Sequence, residues 1–206
     1  MAIEDYKTFI FDFDGVILNS NLIKKAAIKE AASDVLSIKK TKEFVEYFIH
    51  FNGVPREKKI AKYICEDEYE YVLNKYESLI DLELKKAEII PGVVDIIKKI
   101  SKLKKTIIVL SGGTQDEVYK LLEYKKLAHY FDGVYGGPKN KEENLQELSL
   151  NKPILYFGDS EVDYLVSKKY NFDFIFIYGY SSIVNWKMKV NNWDLVKSIK
   201  DFKEGI

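Results

Sequence analysis

Cysteine is almost absent: Cys65 is the single one in 206 residues. An internal disulfide is therefore excluded, and no residue near Cys65 offers metal-ligand spacing. The expectation is a reduced, structural thiol in a cytosolic protein. Histidine is nearly as scarce, and neither His50 nor His129 belongs to a pattern that suggests zinc or nucleophilic catalysis. Proline and glycine are few, 4 and 11, against 15 Tyr and 12 Phe, a balance that excludes disorder and favours an ordered globule. No apolar run is long enough to cross a bilayer, and Glu4 and Asp5 precede the first one, unlike a secretory signal. Net charge is missing too. With 32 Lys+Arg against 32 Asp+Glu, there is no overall basic excess for general nucleic-acid binding, and clusters such as Lys102, Lys104 and Lys105 read as solvated helix ends. A soluble protein with neither nucleic acid nor membrane as partner is expected.

What is present begins with "TFIFDFDGVILNSN", Thr8 to Asn21. A β-rich run from Lys7 to Phe13, ended by Gly15, reads as a buried parallel strand. From Asn21 to about Lys86 apolar residues recur at helical intervals, as in Val72, Leu73, Tyr76, Leu79 and Ile80, with breaks expected near Ser37 to Thr41 and at Asn52 to Pro55. After Pro91-Gly92 the pattern alternates. Strands are expected at Thr106 to Gly113, within Phe131 to Pro138, at Pro153 to Ser160 and at Asp173 to Gly179, separated by helices. Such alternation implies right-handed crossovers and a parallel sheet covered on both faces. The expected fold class is α/β, a Rossmann-like parallel-sheet core formed by 1–18 and 88–206, with a helical insertion at 19–87. Trp186 and Trp193 are expected to pack a final helix or edge.

Ligands of open parallel sheets sit beyond the carboxyl ends of the strands. The polar residues there are Asp12 and Asp14, Ser111, and Asp159 with Asp163 opening the next helix. Four carboxylates aimed at one region need a cation, and oxygen-only ligation points to Mg²⁺. Asp12 and Asp14 share one strand face and can divide the chemistry, one attacking phosphorus and the other protonating the leaving alcohol and then activating water. Ser111, followed by Gly112 and Gly113, can offer a hydroxyl and backbone N–H groups to phosphate oxygens. A lysine should neutralise the transition state, and "YGGPKNKEENL" supplies Lys139 and Lys141.

Taken in order, "DFDGV", "VLSGG", a lysine after "YGGP" and "GDSEVD" resemble the four motifs of the haloacid dehalogenase superfamily, in its phosphatase-like branch with a helical cap after the first strand. The resemblance spans Thr8 to about Ile177. It implies Asp12 as nucleophile, Asp14 as general acid/base, Ser111 as phosphate binder, and Asp159 with Asp163 at the Mg²⁺ site, joined by Asp12 and by the backbone carbonyl of Asp14. Two departures stand out. Asn19 replaces a common Asp, bearing on the hinge of the cap more than on chemistry, since Asn can still cap a helix. The third motif reads Lys139-Asn140 instead of Lys-Pro, and alignment with a "GSPxxKxExL"-like variant selects Lys141 over Lys139.

Blander readings exist for each motif: an acidic turn at Asp12 and Asp14, an ordinary strand-to-helix turn at Ser111 to Gly113, an N-cap at Asp159 with Asp163 on the solvent face. Their order along one chain favours the catalytic reading. In the insertion, Arg56 and Lys59 near a loop could present positive charge to a substrate, although most helix-end cations are only solvated. The expected activity is hydrolysis of a small phosphomonoester, a sugar phosphate or similar metabolite, through an aspartyl-phosphate. A phosphomutase or a non-catalytic phosphorylated regulatory module is the alternative. Dehalogenation is disfavoured because relatives doing it generally lack the second acid, and phosphonate cleavage would need an imine-forming lysine such as Lys24.

Overall fold

Alternating apolar strands explain the sheet at the centre of the molecule, and the computed structural model describes residues 2–205 of the chain. Six strands run parallel in the order β3-β2-β1-β4-β5-β6. They are β1 (Thr8–Phe11), β2 (Thr106–Thr114), β3 (Gly133–Gly137), β4 (Ile154–Gly158), β5 (Asp173–Ile177) and β6 (Lys197–Ile199). Successive side chains point to opposite faces. Phe9, Phe11, Phe157, Ile175 and Ile177 enter one apolar cluster, while Ile10, Tyr156, Phe174 and Phe176 enter the other. Both faces are therefore buried, as a parallel sheet requires.

Helices α5 (Val93–Lys102) and α6 (Gln115–Tyr124) cover the first face through Val93, Ile97, Ile100, Val118, Leu121 and Leu122. The short α7 (Lys141–Gln146) and α8 (Glu161–Tyr170) cover the second through Leu145, Tyr164 and Val166. Phe157 occupies the middle of the first cluster. Its ring centre lies 4.7 Å from that of Phe11 and 5.3 Å from that of Phe202. Phe157→Ala removes a fully buried ring, and we expect a loss of about 3–5 kcal/mol in urea unfolding.

Between β1 and α5 lie four helices, α1 (Asn21–Ser33), α2 (Ile38–His50), α3 (Arg56–Tyr63) and α4 (Glu66–Lys86). The expected breaks at Ser37 and at Asn52 to Pro55 are present. A further break at Ile64-Cys65 divides what reads in sequence as one helical stretch. Ser37 caps α2 by accepting from the Lys40 N–H at 3.5 Å. The chain enters and leaves this block side by side: the Asn19 N–H donates to the Glu88 carbonyl at 2.9 Å, and the Ile90 N–H to that of Ile17 at 3.0 Å.

Three local readings change. Cys65 is exposed, at the N-cap of α4, and so is not a core thiol. The N-cap of α1 is Ser20, whose hydroxyl is committed elsewhere, so Asn19 acts through its backbone. The strand β6 has no counterpart in the sequence expectations. It pairs with β5 and forms an edge, while Trp193 stacks on Tyr164 at 4.4 Å and Trp186 on Tyr178 at 4.2 Å beneath it. Among the described residues no helix is long and apolar enough to cross a membrane.

Candidate active site

Asp12 follows the last residue of β1 and Asp159 follows the last of β4; these two strands are adjacent, so the acids meet at one end of the sheet. The turn after Asp12 needs Gly15, which has φ +77°; a Cβ there would lie 2.2 Å from Oδ2 of Asp159. Asp163 arrives from the first turn of α8. Ser160, not Asp159, is the N-cap of that helix: its hydroxyl accepts from the Asp163 N–H at 3.2 Å and donates to Asp163 Oδ2 at 2.6 Å. Asp159 is thereby left free of capping. Asp163 is fully buried and so is not on a solvent face.

A capping box sets the position of Lys141. The Asn140 side chain accepts from the Glu143 N–H at 2.8 Å and the Glu143 carboxylate accepts from the Asn140 N–H at 2.6 Å. This starts α7 at Lys141, whose ammonium reaches Asp12 Oδ1 at 2.7 Å and Asp163 Oδ1 at 2.5 Å. Lys139 instead lies exposed against Glu147 at 2.6 Å. Tyr156, in the middle of β4, completes the arrangement: its hydroxyl donates to Asp163 Oδ1 at 2.6 Å and accepts from Lys141 at 3.0 Å.

Asp12, Asp159 and Asp163 each place a carboxylate oxygen within 4.8 Å of the others, all buried. Three negative charges face one buried lysine. Burial, with repulsion from Asp163 and Asp14, raises the Asp12 carboxyl to about 7 against the opposing pull of Lys141. Burial and repulsion from Asp12 and Asp163 push Asp159 well above the usual carboxylate range, opposed by the amide of Asn21 at 2.7 Å. Such a set of hard oxygen donors with two uncompensated charges fits a divalent cation.

The Asp14 carboxylate is not one of the three. It faces away, accepting from the Ser20 hydroxyl at 2.5 Å and from Lys24 at 2.7 Å. Burial alone would raise its pKa; the charge of Lys24 and these hydrogen bonds outweigh burial and hold it below the ordinary carboxylate range.

Ser111 lies inside the extended end of β2, fully buried, and its oxygen accepts from the Gly113 N–H at 3.0 Å. The helical block closes directly over this segment. A Cβ on Gly112 would lie 2.5 Å from the carbonyl carbon of Gly53, in the loop between α2 and α3. Asn52 of the same loop donates to Asn21 at 3.0 Å, and Asn21 in turn to Asp159. The cavity enclosed beside Asp14, Gly112 and Gly113 is only about 20 Å³, room for one water. Substrate entry therefore requires the loop to lift from Gly112. We expect Gly112→Ala to hold it off and to lower turnover by about 100-fold through misplacement, with far-ultraviolet circular dichroism unchanged.

Arg56 and Lys59, at the start of α3, also line this cavity, together with Lys24. Arg56 reaches Glu117 of α6 at 2.5 Å, which ties the helical block to the sheet side. Tyr156, Asn21, Asn52 and Glu117 were not among the residues singled out by sequence. Tyr156 had a signal, a hydroxyl in an otherwise apolar strand; the two Asn and Glu117 gain meaning only from their neighbours.

The family model for haloacid dehalogenase-like hydrolases matches residues 9–177. No curated protein matches the sequence significantly. Among solved structures, a haloacid dehalogenase-like hydrolase from Bacteroides fragilis is similar at TM-score 0.77 and 16% identity, covering 98% of this chain and 100% of that one. A predicted phosphoglycolate phosphatase from Haemophilus somnus has TM-score 0.75 and 18% identity, with 98% and 97% covered. CbbY from Rhodobacter sphaeroides, in complex with phosphate, has TM-score 0.71 and 13% identity, with 97% and 96% covered. At these identities the likeness speaks for the fold, and the family match speaks for the rest: this chain belongs to the haloacid dehalogenase-like hydrolases.

Proposed function

We propose that the protein is a cytoplasmic, Mg²⁺-dependent phosphatase that hydrolyses a small phosphomonoester through an aspartyl-phosphate at Asp12. The observation that carries this reading is the meeting of Asp12, Asp159, Asp163 and Lys141 at one sheet end, with a second aspartate, Asp14, turned toward the adjoining cavity. Two structural relatives agree with it, one named a predicted phosphoglycolate phosphatase and one bound to phosphate. The cytoplasmic assignment rests on Cys65, exposed and unbridged.

In the first step an oxygen of Asp12 forms a bond to phosphorus as the bond to the leaving oxygen breaks, and Asp14 gives that oxygen its proton. In the second, Asp14 takes a proton from water as the water attacks phosphorus and releases Asp12. Asp14, held below the ordinary carboxylate range beside Lys24, suits the second step; the first requires Lys24 to withdraw as substrate enters. Ser111, Gly112 and Gly113 would hold phosphate oxygens, and Lys141 would balance charge on Asp12 and the phosphoryl group. A bound divalent ion would supply further charge neutralisation among Asp12, Asp159, Asp163 and the phosphate. Residues 19–87 would act as a cap that lifts to admit substrate and closes to exclude bulk water.

Phosphate release from an aryl phosphate in the presence of Mg²⁺ tests the reading. Release that stops with chelator supports it; stable phosphorylation without turnover would make the protein a regulatory module. The tight closure around the cavity favours one rival, a phosphomutase, which would isomerise a hexose 1-phosphate faster than it hydrolyses one.

A further inference from the structure

Three cations and one aspartate line the cavity that lies between the helical block and Asp14. Two of the cations have carboxylate partners. Lys24 meets Asp14 at 2.7 Å and Glu117 at 3.6 Å, and Arg56 meets Glu117 at 2.5 Å and Glu77 at 3.6 Å. The third, Lys59, has no carboxylate within 4.0 Å among the described residues, although it is only 4% exposed. Its ammonium donates to the Phe48 carbonyl at 3.1 Å and lies 3.7 Å from the centre of the Phe48 ring. An ammonium buried with so little compensation is a costly way to fill space, since a methionine would pack there without the charge. Burial, reinforced by Lys24 and Arg56 and opposed by Asp14 and Glu57, lowers the Lys59 pKa to about 7, so an arriving anion would restore its full charge.

The position of Lys59 says which part of a ligand it meets. The phosphoryl group belongs on the side of Asp12, Ser111 and Lys141, while Asp14 faces the leaving oxygen. Lys59 lines the same cavity as Asp14, so it faces what lies beyond that oxygen. At about 20 Å³ with the loop closed, the cavity leaves little room beyond that oxygen, which favours a short leaving group over a nucleoside or a long chain.

We infer that the substrate's leaving alcohol is short and bears a second anionic group, a carboxylate or another phosphate, held by Lys59 with Arg56 and Lys24 beside it. This specifies the substrate class of the phosphatase reading and rests on it. Arg56 offers a planar fork suited to either anion, and Lys59 a point charge.

Calorimetric binding to the Asp12→Asn protein with Mg²⁺ present tests the inference without turnover. Three ligands are compared: 2-phosphoglycolate, ethylene glycol bisphosphate and the neutral-ended 2-hydroxyethyl phosphate. At least one doubly anionic ligand is expected to bind about tenfold or more tightly than the neutral one, the worth of a charge-assisted contact. Whichever does so identifies the anion. Adding Lys59→Met should erase the preference and leave 2-hydroxyethyl phosphate binding unchanged, whereas Lys59→Arg should keep it. Equal binding of charged and neutral ligands, no binding of any, or an equal loss for all three in Lys59→Met overturns the inference. Phosphate release by the wild type without preference for a charged leaving group sinks this inference alone. A charge preference in binding with no phosphate release from any of the three, or from an aryl phosphate, sinks the phosphatase reading and leaves the anion site standing.

Discussion

Asp12→Asn is expected to lower phosphate release from an aryl phosphate by about 10⁴-fold or more, because it removes the attacking oxygen while keeping the shape of the side chain. The change should leave the fold intact. Lys141 loses its ion pair with Asp12 at 2.7 Å but keeps Asp163 and Tyr156, so the ammonium is not orphaned. At the same time one of three mutually repelling buried carboxylates is gone. Melting within a few degrees of wild type, together with loss of turnover, is the outcome that assigns Asp12 a chemical role. Retention of a tenth or more of the activity would show that phosphorus is attacked by some other group, and would end the aspartyl-phosphate scheme. Mass spectrometry of wild-type protein quenched in acid during turnover should add one phosphoryl group, and the Asn variant should show none.

The second large effect concerns Mg²⁺. Since the three carboxylates carry more negative charge than Lys141 balances, a divalent ion should bind the folded chain and have little hold on the unfolded one. At about 100 times its dissociation constant, such an ion stabilises by roughly 2.7 kcal/mol. In a chain of 206 residues this corresponds to a rise in melting temperature of about 5–10 °C. Chelator should reverse the shift. Asp159→Asn should abolish most of it, and should melt no lower than wild type in chelator, because it removes a buried carboxylate whose direct side-chain partners among the described residues are the amides of Asn21 and Asn52. A shift of equal size in wild type and in the Asn variant would place the ion elsewhere.

The sheet was legible because its strands are apolar runs flanked by turn residues, a pattern that survives any packing. Thr106–Thr114 and Ile154–Gly158 fall close to where the sequence puts them. The strand β6 was not legible, for it has three residues, begins with an exposed lysine, and is a strand only because β5 offers it an edge. The break before α4 was hidden for a similar reason: helical spacing runs through Ile64 and Cys65, with no proline or glycine to mark the change. In the site, Asp12, Ser111 and Asp159 could be named because each stands at the end of an apolar run. Lys141 could be preferred over Lys139 because "GGPKNKEENL" aligns with a "GSPxxKxExL"-like third motif, with Glu143 and Leu145 falling in place.

The order and spacing of residues along the chain thus determined the strands, the parallel α/β architecture and the acids placed at the strand ends, since hydrophobic alternation and turn chemistry are local. Only the tertiary structure decided that Asp14 pairs with Lys24, that Tyr156 bridges Lys141 and Asp163, and that Lys59 has no carboxylate partner among the described residues. Those outcomes depend on which distant charges are brought within a few ångströms and cut off from water, and no local pattern encodes that distance.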